Sequence, residues 1–215
     1  MADEPALLAR GPWSLDQVEA VWRDEAFEPG ARRAALADDA IAALRERGSP
    51  SHDGVAARMT GFEASAERLR IELQPLRWAL RLVPGDAAES MSALCVVRDA
   101  EGRWLAGRRA AWLSSWAGRW ALGAGGAVDA GESPADTLLR EVAEEWSVTP
   151  ERCRVEALVR LPNGMVMLVG QAWLPAGAEV VPDAEHDAHA WWPADPAAWP
   201  AEADEPLRRM ALLLA

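Results

Sequence analysis

The spacing of apolar positions changes several times along the chain, and each change marks a predicted element. Ser14-Leu-Asp-Gln17 has the form of a capping box, and the apolar-periodic stretch behind it predicts a helix through about Phe27. A second helix is predicted from about Pro29 to Arg47, with Ala35, Ile41, Ala42 and Leu44 as its buried stripe and Gly48 as its stop. Between Val55 and Val83 the period falls to two. Leu69, Ile71 and Leu73 alternate with charged residues, and Leu76, Trp78, Leu80 and Leu82 alternate after Pro75, which predicts strands with a hairpin turn at Glu63 to Glu67. Pro84-Gly85-Asp86 interrupts this pattern and places a boundary near residue 87. Residues 1–87 are then a small appendage of about two helices and two or three strands, and residues 88–215 the main domain.

Beyond the boundary, strands are predicted at Ser92 to Arg98 and Arg103 to Arg109 around the turn Asp99-Ala-Glu-Gly102. A loop rich in Trp, Ser and Gly leads to a helix from Pro134 to Trp146. Strands follow at Val155 to Leu161 and Met165 to Leu174, joined by Pro162-Asn163-Gly164. A later loop ends in Ala190-Trp191-Trp192, and Glu205 to Ala215 closes the chain as a helix. Strands and helices in this mixed order predict an α/β (α+β) fold, a layered sandwich.

Composition narrows the picture. A chain of 215 residues, half of them hydrophobic, is long enough for one sizeable domain with its own core plus an appendage. The net charge of −12 excludes nucleic acid as a bulk partner, but it leaves room for a small phosphorylated ligand held by local arginines. All 22 basic residues are Arg, a bias that matches GC-rich codons, so every cationic contact to a ligand must come from a planar guanidinium. Cys95 and Cys153 are expected to be structural thiols in a reduced setting. The first residues lack a basic region followed by a long apolar run, and no stretch approaches the ~18 apolar residues of a membrane span. A soluble, cytoplasmic protein with no membrane partner is therefore expected.

The segment that carries chemistry is GGAVDAGESPADTLLREVAEEWSV, residues 125–148. Ser133 stands at the N-cap of its helix, Pro134 at the first helical position and Asp136 in the first turn. Glu141, Glu144 and Glu145 lie at i, i+3 and i+4, which crowds three carboxylates onto one stripe. A solvated acidic face is the plainer meaning of three such residues alone. Hard carboxylate oxygens that leave room for water and phosphate suit Mg²⁺ better than Zn²⁺, which calls for His or Cys.

The whole segment resembles the Nudix box, G-x5-E-x7-R-E-U-x-E-E-x-G-U with U aliphatic. Gly126, Glu132, Arg140, Glu141, Val142, Glu144, Glu145 and Val148 occupy eight of its nine specified positions, and Ser147 stands where the family has Gly. The resemblance implies a Nudix-like α/β/α sandwich and a Mg²⁺-dependent hydrolase, with Mn²⁺ as the alternative ion, that cleaves a pyrophosphate linkage in a nucleoside diphosphate derivative or related compound. It implies that Glu144 and Glu145 ligate metal, that Glu141 is a further ligand or the base that activates water, and that the carbonyl of Gly125 adds a ligand. Gly126, Glu132 and Arg140 are implied as structural support, the last two as a pair tying the loop to the helix. Because the family's base also occurs on a later loop, Glu185 in Asp183-Ala-Glu185-His-Asp187 stays a second candidate.

Arg108 and Arg109, at the end of a strand leading toward the box, and Arg119 with Trp120 in the loop before it are the candidate substrate contacts. Trp112, Trp116, Trp120, Trp191 and Trp192 offer a stacking face for a base, although core packing accounts for most of them in a chain without Tyr. His186 and His189 read as ordinary loop residues, and His52 carries no signal. Pro162 lies at a distance past the box that accompanies ADP-ribose hydrolysis in some family members, but Pro-Asn-Gly is also a plain turn. Two other readings keep the fold. An isomerase of isopentenyl diphosphate lacks its Cys-containing motif here, and a non-catalytic nucleotide sensor is opposed by the intact glutamate set. The appendage is expected to build a homodimer or cover the pocket.

Overall fold

The computed structural model describes residues 4–49, 53–113 and 115–214, so His52 and the predicted helix end at Ala215 lie outside the described residues. The chain opens with β1 (Ala6–Trp13) and continues through β2 (Val18–Trp22), α1 (Ala31–Glu46), β3 (Val55–Ala64) and β4 (Leu69–Arg77). Next come β5 (Met91–Arg98), β6 (Trp104–Arg109), β7 (Trp120–Leu122), β8 (Ala124–Ala127) and α2 (Pro134–Trp146). The last elements are β9 (Arg152–Arg160), β10 (Val166–Trp173), β11 (His186–Trp192) and α3 (Glu205–Leu214). The strands form an eight-stranded sheet with the order β1-β9-β10-β5-β6-β11, β7 joined to β6 and β8 to β5, and a three-stranded sheet with the order β2-β4-β3.

Contacts divide the chain into two compact units. Residues 1–93, 126–137 and 155–169 form one, and residues 94–125, 138–154 and 170–215 the other. In the first, Ala37, Ile41 and Leu44 recur along one side of α1 and pack with Leu76, Ala79, Leu80, Val83 and Ala88. Phe27 lies at the rim of this core beneath the Arg58 guanidinium, 4.1 Å from the ring centroid. The predicted boundary at residue 87 does not separate the contacts of this unit, because Ala57 N–H donates to Val128 O (2.7 Å) and Ala87 N–H to Asn163 O (2.7 Å).

The region before residue 87 departs from the sequence-based expectation. The predicted helix from Ser14 to Phe27 is a single 3₁₀ turn, Leu15–Gln17, followed by β2. The capping interaction forms, with Ser14 N–H donating to Gln17 Oε1 (2.9 Å). It closes one turn only, since Val18, Val21 and Trp22 favour a strand and Val18 to Trp22 pairs in parallel with Leu69 to Leu73. The predicted strand from Leu76 to Leu82 ends at Arg77, and Trp78–Leu82 is a 3₁₀ turn held where Ala79 N–H donates to Asp53 Oδ1 (3.0 Å). This region thus contains one α-helix and four strands among the described residues, with β1 unanticipated.

The second unit is built on β6, which pairs with β7 on one side and β11 on the other. A chain of rings fills its interior. Trp120 meets Trp192 (5.6 Å), Trp192 meets Trp199 (5.0 Å) and Trp199 meets Trp104 (5.5 Å), with Arg98 stacked 3.8 Å over Trp104. The segment expected as a loop ending at Trp192 finishes as β11, and the Trp- and Gly-rich loop before the box contains β7 and β8.

Candidate active site

The box helix begins as its sequence directs. The Ser133 hydroxyl accepts from Ala135 N–H (3.3 Å), the Ser133 carbonyl from Thr137 N–H (3.0 Å), and Asp136 lies in the first turn. Glu132 Oε2 accepts from the Thr137 hydroxyl (2.8 Å) and from Asp129 N–H (3.3 Å), which fastens the turn that enters the helix. Along α2 the buried stripe is Leu138, Val142 and Trp146, and the Trp146 indole donates to Gly123 O (3.0 Å). At the exit Ser147 takes φ +52°, the left-handed conformation for which the family uses Gly, while its N–H still donates to Ala143 O (3.0 Å). The turn is therefore kept, and Ser147 carries a steric cost of about 1 kcal/mol.

The three glutamates differ in their surroundings. Glu144 is exposed, whereas Glu141 and Glu145 are 8% and 4% exposed. Arg140 Nη1 bridges two of them, donating to Glu141 Oε1 (2.7 Å) and Glu144 Oε2 (2.9 Å). Burial pushes the Glu141 carboxyl up to about 7 against the pull of Arg140, with the charges of Glu144 and Glu185 adding to the rise. Burial likewise raises Glu145 well above the usual carboxylate range, although Gly125 N–H donates to its Oε1 (2.8 Å). The other oxygen, Glu145 Oε2, is buried and has no hydrogen-bond partner.

A later segment is strapped to the end of this helix. Val181 N–H donates to Trp146 O and Asp183 N–H to Glu145 O, both at 2.9 Å, so the segment satisfies carbonyls that a helix end leaves open. Farther along, Ala110 N–H donates to Glu185 O (2.7 Å) and Glu185 N–H to Asp183 Oδ1 (2.9 Å). Glu185 is thereby fixed in the acidic cluster, where burial raises its carboxyl and Arg109, 3.7 Å from its Oε2, opposes the rise.

His186 is the residue that sequence reasoning misjudged. It is the first residue of β11 and is buried, with its ring 4.4 Å from that of Trp146. Its Nε2 lies 3.6 Å from Glu145 Oε2 and its Nδ1 3.4 Å from Asp183 Oδ1. The space it fills exists because position 107 has no side chain: a Cβ there would stand 2.2 Å from His186 Cδ2 and 2.8 Å from Trp146 Cη2. No local pattern around His186 announces this burial, because it depends on a glycine on β6 and a tryptophan on α2.

These donors fit a hard divalent cation. Glu141, Glu144, Glu145 and Glu185 supply oxygen donors, and one buried carboxylate oxygen has no bond to lose on taking an ion. Among the described residues no three acidic, His or Cys side chains already stand in a ligand arrangement. Arg140 is paired with both Glu141 and Glu144. The model of the NUDIX domain family matches residues 89–213, more than half of the chain.

The chain belongs to the NUDIX family. Its fold class is the α/β/α sandwich of that family. No curated protein matches the sequence. Solved structures that it resembles include a MutT NUDIX hydrolase from Burkholderia pseudomallei (22% identity over 59% of this chain and 98% of that one, TM-score 0.47). Another is the NUDIX domain of Shewanella oneidensis NrtR in complex with ADP ribose (24% over 57% and 86%, TM-score 0.45). A third is a C. elegans Ap4A hydrolase binary complex (20% over 57% and 92%, TM-score 0.45). No helix among the described residues is long and apolar enough to cross a membrane.

Of the NUDIX-box surroundings chosen from sequence as substrate contacts, only Arg109 is brought to the carboxylates, where it faces Glu185 and also donates to Ser115 O (3.2 Å). Arg108 is paired with Asp187 (2.6 Å). Arg119 is paired with Asp204 and stacks 4.4 Å over Trp116. Trp120 is half-buried against Trp192, in line with core packing.

Proposed function

We propose that the chain is a Mg²⁺- or Mn²⁺-dependent pyrophosphohydrolase acting on a nucleoside diphosphate derivative or related compound, with residues 88–215 as its catalytic domain. The observation that carries the reading is the burial of two box glutamates beside Glu185, with one carboxylate oxygen unbonded and cations too few to compensate them. Glu144, Glu145 and Glu141 would hold the metal together with the carbonyl of Gly125. When bound, the ion neutralises phosphoryl oxygens and acidifies water.

Everything else falls to the protein's own groups. Glu185, or Glu141 where it is not a ligand, accepts the proton of the attacking water, and a carboxyl raised toward neutrality is matched to that task. Arg109 supplies a fixed cation at the edge of the cluster for the transferring phosphoryl group, while Arg108, Arg119 and Trp120 contact more distant parts of the substrate once their acidic or aromatic partners release them. Arg140 holds Glu141 and Glu144 until the ion arrives.

The test is turnover of a panel comprising ADP-ribose, NADH, nucleoside triphosphates, dinucleoside polyphosphates and sugar nucleotides, with products identified, for the full chain and for Glu144→Gln. Metal-dependent hydrolysis of one compound class, lost in the variant, is the expected result. Binding of metal and nucleotide with no turnover of any of them would replace this reading with that of a ligand sensor.

A further inference from the structure

His186 is a polar side chain that the proposed reaction does not use. Its side chain is 1% exposed, and it is confined by the Trp146 ring, the bare backbone at Gly107, Glu145 and Asp183. Neither His186 Nδ1 nor Glu145 Oε2 completes a hydrogen bond, and both are buried. Leaving such a group unsatisfied costs about 1–3 kcal/mol. A side chain kept only to fill the space against Trp146 would be apolar and free of that cost. The imidazole instead stands between Glu145 Oε2, buried without a bond, and Asp183, whose Oδ1 also accepts the N–H of Glu185. At 3.6 Å, a small rotation of the Glu145 carboxylate brings Oε2 within an ordinary N–H···O distance of about 2.9 Å.

We infer that His186 is a positioning residue whose Nε2 aims the outer oxygen of Glu145. The role rests on the assignment of Glu145 as a metal ligand and extends it. In the metal-bound protein the imidazole directs the ligating carboxylate from behind, and such outer partners typically change metal affinity 10–100-fold.

The experiment reads metal binding without turnover: the full-length protein is titrated with Mn²⁺, and free ion is followed by electron paramagnetic resonance. His186→Phe, which keeps a ring on Trp146, is expected to weaken Mn²⁺ binding about tenfold or more. His186→Gln places an amide N–H near the position of Nε2 and is expected to restore affinity to within about threefold of the parent. In a Glu145→Gln background, His186→Phe should produce no further loss, because it acts through Glu145. Parental affinity in His186→Phe, equal weakness in the Phe and Gln variants, or the same factor in both backgrounds would each reduce His186 to a core residue. His186→Met serves in place of the Phe variant should circular dichroism show that the larger ring is not accommodated. If Glu145→Gln alone binds Mn²⁺ like the parent, the ligand assignment of Glu145 fails first and the positioning role falls with it.

Discussion

Glu72 on β4 and Glu141 on α2 are both bonded to arginine, yet their carboxyls move in opposite directions. Glu72 accepts from Arg23 (3.0 Å) and Arg70 (2.9 Å), is half-buried at the sheet surface, and is held below the ordinary range by those two bonds. Glu141 accepts from Arg140 at 2.7 Å and is nevertheless lifted to about 7. Desolvation decides the difference, because a single guanidinium does not replace the water removed from a buried carboxylate with acidic neighbours. The face of β4 uses charge to decorate a sheet. The box helix withholds compensation where a cation is needed.

The sharpest way to break this comparison is Glu145→Gln. If the buried charge exists for a metal, activity on the substrate found should fall by at least roughly 100-fold, beyond the loss of an outer partner. The melting temperature of the metal-free protein should hold or rise, since an uncompensated buried charge is gone. A parallel loss of stability and activity would mean that Glu145 is structural.

A pH series of metal-free melting curves comes next. The folded-state carboxyls of Glu141, Glu145 and Glu185 lie above their unfolded values, so the folded form binds more protons. Their contribution is fully present below pH ~4.5 and is lost as pH rises through about 7, the value for Glu141. The melting temperature should therefore decline across that window, and Mg²⁺ should restore it most at the alkaline end. A flat profile would show the cluster already compensated.

Gly107→Ala tests the packing that supports the cluster. Overpacking against His186 and Trp146 should cost about 1–3 kcal/mol, seen as a melting temperature lower by several degrees. Ser147→Gly should do the reverse, adding about 1 kcal/mol by relieving the positive φ without changing kcat/KM. Glu72→Gln, at the sheet surface, should leave the melting temperature unchanged within error.

How much of this was legible depended on whether the deciding contacts were local. The bounds of α2 follow from Ser133, Pro134 and the stripe Leu138, Val142 and Trp146, all within one stretch. The box glutamates were found by the match of the whole segment to the box pattern, and Glu185 by the same resemblance, since the family's base also occurs on a later loop. In contrast, the capping box at Ser14 is real but closes one turn, because Val18 to Trp22 pairs with residues about fifty positions away. His186 was hidden for the same reason, its burial being set by Gly107 and Trp146. The arginines chosen from sequence were judged without their partners, and Asp187 and Asp204 engage two of the three.

The strap at Val181 and Asp183 also limits how this chain can vary. Because those two N–H groups close the last carbonyls of α2, an insertion between Val181 and Glu185 would unfasten the helix end and shift Glu185 together. Length changes that alter substrate choice are tolerable only where no such fastening exists, as in the exposed stretch at residues 175–177 upstream of Val181. A lineage diversifying this scaffold would accordingly keep the spacing from residue 181 to 186 constant while the neighbouring loops drift.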